Sequence, residues 1–175
     1  MKKALIITGQ GFQDSEVIYP YYRLEEDEFS VDVAALKKEM LFGINGVKFE
    51  ANTDFSEIKV DNYNLLVLPG GVKALEKIRQ EQGVLDFIKE FSDKGKVIVS
   101  ICHGAQLMIS AKIVSGKKIS GYYSIKDDII NAGATYVDAP YVIDGNIISS
   151  PHYKHSGPWM KAAIDLYYEK NQEIR

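Results

Sequence analysis

The sequence contains one cysteine, Cys102, with Ser100 two positions before it and Gly104 two positions after it. This small-x-nucleophile-x-small spacing is typical of a nucleophile elbow, where a strand turns sharply into a helix. The turn crowds the backbone, so only small neighbours allow the central side chain to project from the top of the sheet. The pattern therefore predicts that Cys102 is a nucleophile.

The segments on either side of Cys102 agree with an elbow. The apolar, β-branched run 97–101 predicts a buried parallel strand, and residues 106–111 predict a helix. A helix that starts behind the thiol points free N–H groups at the sulfur, which would lower the thiol pKa and favour the reactive thiolate. A lone cysteine is more often a small buried hydrophobic residue. The strand, His103-Gly104 and helix context favours the nucleophile instead.

Two further groups follow predicted strands and would reach the same edge of a parallel sheet. Glu16 begins a helix just after the first strand, and Gly70-Gly71 ends the third strand. The two glycines allow close backbone approach and supply free N–H groups for an oxyanion hole. Taken alone, Glu16 is also compatible with a solvated first-turn carboxylate, and the glycine pair with an ordinary turn.

Strands alternate with helices along the chain, which predicts an α/β fold with a largely parallel sheet covered on both faces. Residues 40–50 are expected to be irregular, with a hairpin turn at Asn45-Gly46. Asp14 or Ser15 is expected to cap the first helix. The predicted strands are 3–8, 30–35, 63–68, 97–101, 119–123, 135–137, 141–143 and 147–149, and the predicted helices are about 16–27, 74–79, 83–93, 106–113, 124–131 and 158–168.

The composition limits the classes of protein that the chain can represent. A length of 175 residues predicts a single domain, residues 1–175, with a sizeable core. The net charge of −3, from 21 basic and 24 acidic residues, favours neither a nucleic-acid partner nor a polybasic membrane surface. One cysteine excludes an internal disulfide, and the apolar run after Lys3 is too short for a signal peptide. A cytoplasmic location is therefore expected.

Several motifs, in order along the chain, resemble those of the DJ-1/PfpI family and in particular its PfpI branch. The resemblance covers nearly the whole chain. It implies a flavodoxin-like three-layer sandwich with a mostly parallel central sheet, within the class I glutamine amidotransferase-like superfamily. The motifs are EVIYP at 16–20, LPGG at 68–71, SICHG at 100–104, IKDDIINAGA at 125–134, and 142–150 with its Asp-Gly-Asn turn.

The resemblance implies catalytic roles for four residues. Cys102 would be the nucleophile, and a protonated Glu16 would hydrogen-bond its sulfur, which requires a raised carboxyl pKa. His103 would be the catalytic histidine, oriented by Glu76 from a neighbouring subunit. The chain is therefore expected to form a homo-oligomer, a dimer or larger, whose active site is completed across subunits.

The same resemblance implies the residues that would surround a substrate. The backbone N–H groups of Gly71 and His103 would form the oxyanion hole. Gly70 and Tyr122 would line the substrate-binding region.

One segment departs from the family pattern. After Ser150 the family commonly has an arginine and a short acidic stretch, whereas this chain has the segment 151–155, Pro-His-Tyr-Lys-His. The rim of the pocket, and with it the choice of substrate, is therefore expected to differ. His152 and His155 are three positions apart, but no cysteine or carboxylate cluster accompanies them. Neither a metal nor another cofactor is expected.

The family's documented activities leave several functions open. The favoured function is a cofactor-free enzyme that acts on a small aldehyde or another reactive carbonyl, as a glyoxalase or deglycase does, because a small chain suggests a cramped pocket. One alternative is an intracellular cysteine peptidase acting on a peptide substrate. Another is a non-enzymatic redox sensor or stress chaperone that works through oxidation of Cys102. An amidotransferase-like synthase subunit is a further alternative. All the enzymatic functions would begin with attack of the thiolate on a carbonyl carbon.

Overall fold

The chain folds around a seven-stranded central sheet; the computed structural model describes residues 1–175. Two smaller sheets of two strands each lie beside it. The strands are β1 (Lys3–Ile7), β2 (Ser30–Ala35), β3 (Met40–Phe42), β4 (Lys48–Glu50), β5 (Thr53–Asp54), β6 (Leu65–Leu68), β7 (Val97–Ile101), β8 (Lys118–Ile119), β9 (Thr135–Tyr136), β10 (Val142–Asp144) and β11 (Ile147–Ser150).

Six α-helices connect or flank the strands, and four short 3-10 turns lie between them. No helix is long and apolar enough to cross a lipid bilayer. The α-helices are α1 (Asp14–Glu26), α2 (Val72–Ile78), α3 (Gln82–Asp93), α4 (Ala105–Ser110), α5 (Lys126–Asn131) and α6 (Ser156–Asn171), and the 3-10 turns are Val60–Asn62, Cys102–Gly104, Tyr123–Ile125 and Tyr153–His155.

The strand order in the central sheet is β10-β11-β7-β6-β1-β2-β5. All pairs are parallel except β10 with β11, which closes one edge as an antiparallel hairpin. The chain runs from β1 outward to β2 and then crosses back to β6, so the winding direction reverses between β1 and β6. Open parallel sheets form their sites in the crevice at such a reversal, beyond the carboxyl ends of the strands.

Apolar residues cover both faces of the sheet. Along β1, Leu5 and Ile7 point into one core, whereas Ala4 and Ile6 point into the other. The two cores contain 26 and 25 buried residues, so neither face of the sheet is left open to solvent. Helices α2 to α5 pack on the first face, and α1 and α6 pack on the second. The predicted mixed α/β fold with a mostly parallel central sheet is therefore confirmed.

The structure differs from the sequence-based assignment around the first helix. Residues 40–50 are not irregular, because β3 and β4 pair as an antiparallel hairpin. The cap of α1 is the side chain of Gln13, which accepts a hydrogen bond from the Asp14 backbone N–H at 3.2 Å. The Asp14 carboxylate instead accepts from the backbone N–H groups of Asn45 and Val47, at 2.8 and 2.9 Å. Asp14 therefore ties the hairpin to the start of α1 rather than capping the helix.

The segment after the elbow helix also differs. The predicted strand at 119–123 is shorter, since only Lys118–Ile119 is a strand, and it pairs with Thr135–Tyr136 in a separate small sheet. Residues 120–122 instead form a loop that turns back over the carboxyl end of β7. The backbone N–H of Tyr122 donates to the carbonyl oxygen of Cys102 at 3.1 Å. The loop therefore lies directly on the elbow.

Candidate active site

The elbow residue has a strained backbone, as its predicted role requires. Cys102 follows directly after β7 and has a φ angle of 56°, in the left-handed region that residues with a Cβ rarely adopt. Gly104 lies so close to the end of β6 that a Cβ placed on it would be 2.1 Å from the carbonyl oxygen of Leu68. The small residue at the plus-two position is therefore a steric necessity of this turn.

Three strand ends bring Glu16, Gly70 and Cys102 together at the reversal point of the sheet. The Glu16 Oε1 atom accepts a hydrogen bond from the Gly70 backbone N–H at 2.7 Å. A Cβ on Gly70 would lie 2.5 Å from that Oε1, 3.0 Å from the Cys102 Cβ and 3.2 Å from the His103 backbone nitrogen. The absence of a side chain at residue 70 thus allows the carboxyl group and the thiol to be neighbours.

The Glu16 carboxyl group is held in conditions that favour its neutral form. Its side chain is fully buried, and its Oε2 atom has no hydrogen-bond partner in the chain. Burial raises the pKa of Glu16 from 4.5 to about 7, against the lowering effects of hydrogen bonds from Gly70 and Cys102. At neutral pH this carboxyl group is therefore partly protonated, and its protonated form can donate a hydrogen bond. The role of Glu16 as a hydrogen-bond donor to the sulfur stays a prediction.

The expected lowering of the thiol pKa is wrong. Burial raises the pKa of Cys102, and the charge of an ionised Glu16 raises it further, whereas the His103 backbone N–H lowers it. Only 9% of the Cys102 surface is exposed, so the loss of water outweighs the N–H groups at the turn. Neutralisation of Glu16 by a proton removes the repulsion from its charge. The remaining barrier to thiolate formation calls for a base close to the sulfur.

The imidazole of His103 lies beside the sulfur. Its Nδ1 atom is 3.4 Å from the Cys102 Sγ atom, and burial lowers the pKa of the imidazole, which favours the neutral ring at pH 7. Its Nε2 atom is 3.3 Å from the hydroxyl oxygen of Ser124. Sequence reasoning missed Ser124, whose only signal was a small polar residue near the start of a predicted helix.

Tyr122 packs against the imidazole. The ring centroids of Tyr122 and His103 are 4.7 Å apart with an interplanar angle of 32°. The Tyr122 ring also lies near His152, with 6.3 Å between the ring centroids. The ring centroids of His152 and Tyr153 are 4.1 Å apart. The segment that departs from the family pattern therefore lies next to the residue predicted to contact substrate.

Two predicted site residues are not brought to the sulfur within one chain. Glu76 is exposed on α2 and forms no hydrogen bond or ion pair with His103. Gly71 has a φ angle of 109°, and a Cβ there would meet backbone atoms of residues 11–13 at 2.7–2.8 Å. This close packing is sufficient to explain why residue 71 is a glycine. The role of the Gly71 N–H in an oxyanion hole stays a prediction. No group of three or more His, Cys, Asp or Glu side chains is arranged to hold a metal ion.

The three-layer α/β sandwich defines a flavodoxin-like protein. Its candidate nucleophile is a thiol: a strained cysteine at a strand–helix turn lies beside a buried carboxyl group and an imidazole. The sequence profile of the DJ-1/PfpI family matches residues 2–166. The chain therefore belongs to the DJ-1/PfpI family.

Individual proteins support this assignment. A Pyrococcus furiosus protein named deglycase PfpI is 37% identical over 164 residues, which cover 94% of this chain and 98% of the relative. A Bacillus subtilis protein named putative cysteine protease YraA is 36% identical over 151 residues, covering 85% of this chain and 88% of the relative. The crystal structure of Drosophila melanogaster DJ-1beta superimposes with a TM-score of 0.87 at 25% identity, covering 99% of each chain.

Proposed function

We propose that this protein is a cofactor-free, cysteine-dependent enzyme that acts on reactive carbonyl compounds, as a glyoxalase or deglycase does. The observation that carries the proposal is the approach of the His103 Nδ1 atom to within 3.4 Å of the only thiol, beside the buried Glu16. One side chain can accept the thiol proton while the other, with a pKa raised to about 7, donates to the developing oxygen or sulfur anion. The deglycase name of the Pyrococcus relative supports this choice.

The proposed reaction begins with proton transfer from the Cys102 thiol to His103. The sulfur then attacks the aldehyde carbon of a 2-oxoaldehyde, the S–C bond forms, and the carbonyl oxygen takes up a proton to give a hemithioacetal. The proton on that carbon is then transferred to the neighbouring carbonyl carbon, and the proton of the hemithioacetal hydroxyl passes to the neighbouring carbonyl oxygen, which gives a thioester of a 2-hydroxy acid. Water cleaves the thioester, which releases the acid and restores the thiol. No external oxidant or reductant is consumed.

Peptide hydrolysis is the second candidate function. The Bacillus relative named putative cysteine protease supports it. The same thiol and imidazole would form an acyl-enzyme from a peptide carbonyl, and His103 would protonate the leaving amine. A peptidase needs a groove that holds the substrate peptide on both sides of the scissile bond. Here only 9% of the Cys102 surface is exposed, and the loop at residues 120–122 lies on the elbow, which favours a small substrate over a peptide.

We also propose that the protein forms a homo-oligomer in which Glu76 of one copy lies near the site of another. Support comes from the position of Glu76, exposed on the helix that begins just after Gly71. Val72 on the same helix is 51% exposed, an apolar side chain that a second copy would cover. A cytoplasmic setting is part of the same proposal, since a reducing compartment keeps a free thiol reduced.

A substrate panel tests the proposed function. Wild-type protein and Cys102→Ala are assayed side by side on methylglyoxal, on a glycated amine adduct and on fluorogenic peptides. The proposal expects Cys102-dependent consumption of the aldehyde or the adduct, with 2-hydroxy acid as product. Cleavage of peptides alone would establish the peptidase instead. Oxidation of Cys102 by peroxide without turnover of any substrate would favour a redox sensor and contradict both enzymatic functions.

A further inference from the structure

We propose that Asp14 is a positioning residue of the site: it ties the β3–β4 hairpin to the first turn of α1 and thereby holds the Glu16 carboxyl group beside the thiol. The inference rests on the proposed function, in which Cys102 attacks a carbonyl carbon next to Glu16. Asp14 lies two positions before Glu16, and only 7% of its surface is exposed. Both of its carboxylate oxygens bond to the hairpin rather than to the thiol, so its effect on the sulfur is expected to pass through Glu16.

The Asp14 carboxylate joins two segments that are distant in sequence. Its Oδ2 atom accepts a hydrogen bond from the Asn45 backbone N–H at 2.8 Å, and its Oδ1 atom accepts from the Val47 backbone N–H at 2.9 Å. A Cβ at residue 43 would lie 2.5 Å from the Asp14 carboxyl carbon, so the approach requires Gly43. A buried carboxylate that accepts two backbone N–H groups is a specific tie, since hydrogen bonds to a charged acceptor are the stronger kind.

Two more hydrogen bonds attach the hairpin to the residues just before Asp14. The Gly11 N–H donates to the Phe42 carbonyl oxygen at 2.9 Å, and the Ile44 N–H donates to the Phe12 carbonyl oxygen at 2.9 Å. The row of bonds then continues to Asp14 in the first turn of α1. The hairpin is therefore fastened along the whole segment that leads from β1 to the site.

The same helical turn is held on its other side by the end of β6. The Gln13 N–H donates to the Gly70 carbonyl oxygen at 3.2 Å, and the Glu16 N–H donates to the Gln13 carbonyl oxygen at 3.0 Å. The Gly70 N–H in turn donates to the Glu16 Oε1 atom at 2.7 Å. The carboxyl group is thus fixed between Gly70 and the hairpin.

Release of the turn on the hairpin side should weaken the thiolate in two ways. A displaced Glu16 loses its aim at the sulfur, so its neutral form no longer donates to the thiolate. Water that enters beside the carboxyl group stabilises its charged form, and a charged carboxylate repels a thiolate. Both effects lower the thiolate fraction of Cys102 at neutral pH, and both depend on the side chain of Glu16.

The test measures alkylation of Cys102 by iodoacetamide at pH 7 in the full chain, which contains no other cysteine. Asp14→Asn leaves one acceptor oxygen in place of two. Gly43→Ala displaces the Asp14 carboxylate without changing any charge. Each variant should slow alkylation by roughly three- to tenfold, a range that corresponds to one hydrogen bond.

Each change is then repeated in Glu16→Ala, which removes the carboxyl group that Asp14 is proposed to position. There the slowing should disappear. Two matched controls should alkylate at the wild-type rate. Asp54→Asn alters an aspartate that fixes its own turn by accepting from the Ser56 N–H at 2.9 Å, and Gly83→Ala adds a Cβ that meets no atom within 4 Å.

Thermal unfolding of every variant checks the fold. If Glu16→Ala does not fold, carbon NMR titration of Glu16 in Gly43→Ala decides the question instead. A Glu16 pKa below the wild-type value of about 7 would support the role of Asp14, and an unchanged pKa would overturn it.

The outcomes separate this inference from the proposed function, because alkylation requires no turnover. Equal slowing with and without the Glu16 side chain would overturn the role of Asp14 even if carbonyl turnover is found. Wild-type rates in both Asp14→Asn and Gly43→Ala would also overturn it. Slowing that disappears in Glu16→Ala, with both controls at the wild-type rate, would establish the role even if the substrate panel shows no turnover.

Discussion

The Oε1 atom of Glu16 accepts a hydrogen bond from the backbone N–H of Gly70 at 2.7 Å, inside the crevice where the sheet reverses its winding direction. This bond orients a fully buried carboxyl group and leaves its other oxygen, Oε2, without a partner in the chain. An unpaired oxygen in a buried site costs less free energy when the group is protonated. The contact thus links the geometry of the β6 end to the protonation state of the site.

Replacement of Glu16 by glutamine should change how stability depends on pH. The pKa of Glu16 is raised from 4.5 to about 7 in the folded chain. The neutral carboxyl group therefore contributes fully to the free energy of unfolding below pH 4.5, and this contribution is lost as the pH rises through about 7. The loss amounts to about 3 kcal/mol at 1.36 kcal/mol for each pKa unit. Urea unfolding at a series of pH values should show this fall in the wild type and not in Glu16→Gln.

The control for this experiment is Glu50→Gln, which replaces a carboxylate that is exposed on β4 and far from the proposed site. Its stability should follow the wild-type curve across the same pH range. A Glu16→Gln curve parallel to that of the wild type would mean that Glu16 titrates as a solvated first-turn carboxylate.

Substitution of Gly104 by alanine should disrupt the elbow. The added Cβ would lie 2.1 Å from the Leu68 carbonyl oxygen, a backbone atom that cannot move aside alone. Overpacking of this kind costs about 1–3 kcal/mol or more. Thermal unfolding of Gly104→Ala should therefore begin at a lower temperature, with a matching loss of Cys102 reactivity.

Gly83→Ala is the matched control, because a Cβ at this position in α3 meets no atom within 4 Å. Alanine is a better helix former than glycine, so Gly83→Ala should be neutral or stabilising by up to about 1 kcal/mol. Equal stability of the two variants would show that the elbow relaxes around a larger residue at 104.

Removal of the Tyr122 ring should loosen His103. The two rings lie 4.7 Å apart, so Tyr122→Ala leaves one side of the imidazole without packing. A misplaced base slows the chemical step, and we expect a loss of about tenfold in kcat/KM for the Cys102-dependent substrate. Tyr122→Phe retains the ring and should keep most of the activity. If Tyr122→Phe is as impaired as Tyr122→Ala, the phenolic hydroxyl rather than the ring is the important group.

Mixing two inactive variants tests whether the site is shared between copies. If Glu76 of one copy serves His103 of another, Cys102→Ala and Glu76→Ala should each be impaired alone. After subunit exchange, some interfaces would pair an intact Cys102 with an intact Glu76, so part of the activity should return. A monomer in sedimentation analysis, or no recovery after proven exchange, would rule out the shared site.

The sequence by itself determined the features that depend on local pattern. The spacing of Ser100, Cys102 and Gly104 predicted a turn that the structure contains, because the steric limits of a strand–helix turn act over a few residues. The alternation of apolar strands with amphipathic helices predicted the α/β sheet for the same reason. The sequence also placed Glu16 at the carboxyl ends of the strands, where its side chain meets Gly70, because all parallel strands of a sheet end on the same side.

Only the tertiary structure decided the electrostatics and the partners of the site. The raised pKa of Cys102 follows from burial under a loop that comes from a later part of the chain, which no local spacing reveals. The contact between His103 and Ser124 joins residues 21 positions apart and depends on how the loop at 120–122 turns back over β7. Desolvation and long-range hydrogen bonds arise from the packing of distant segments, and they set which groups at this site hold a proton.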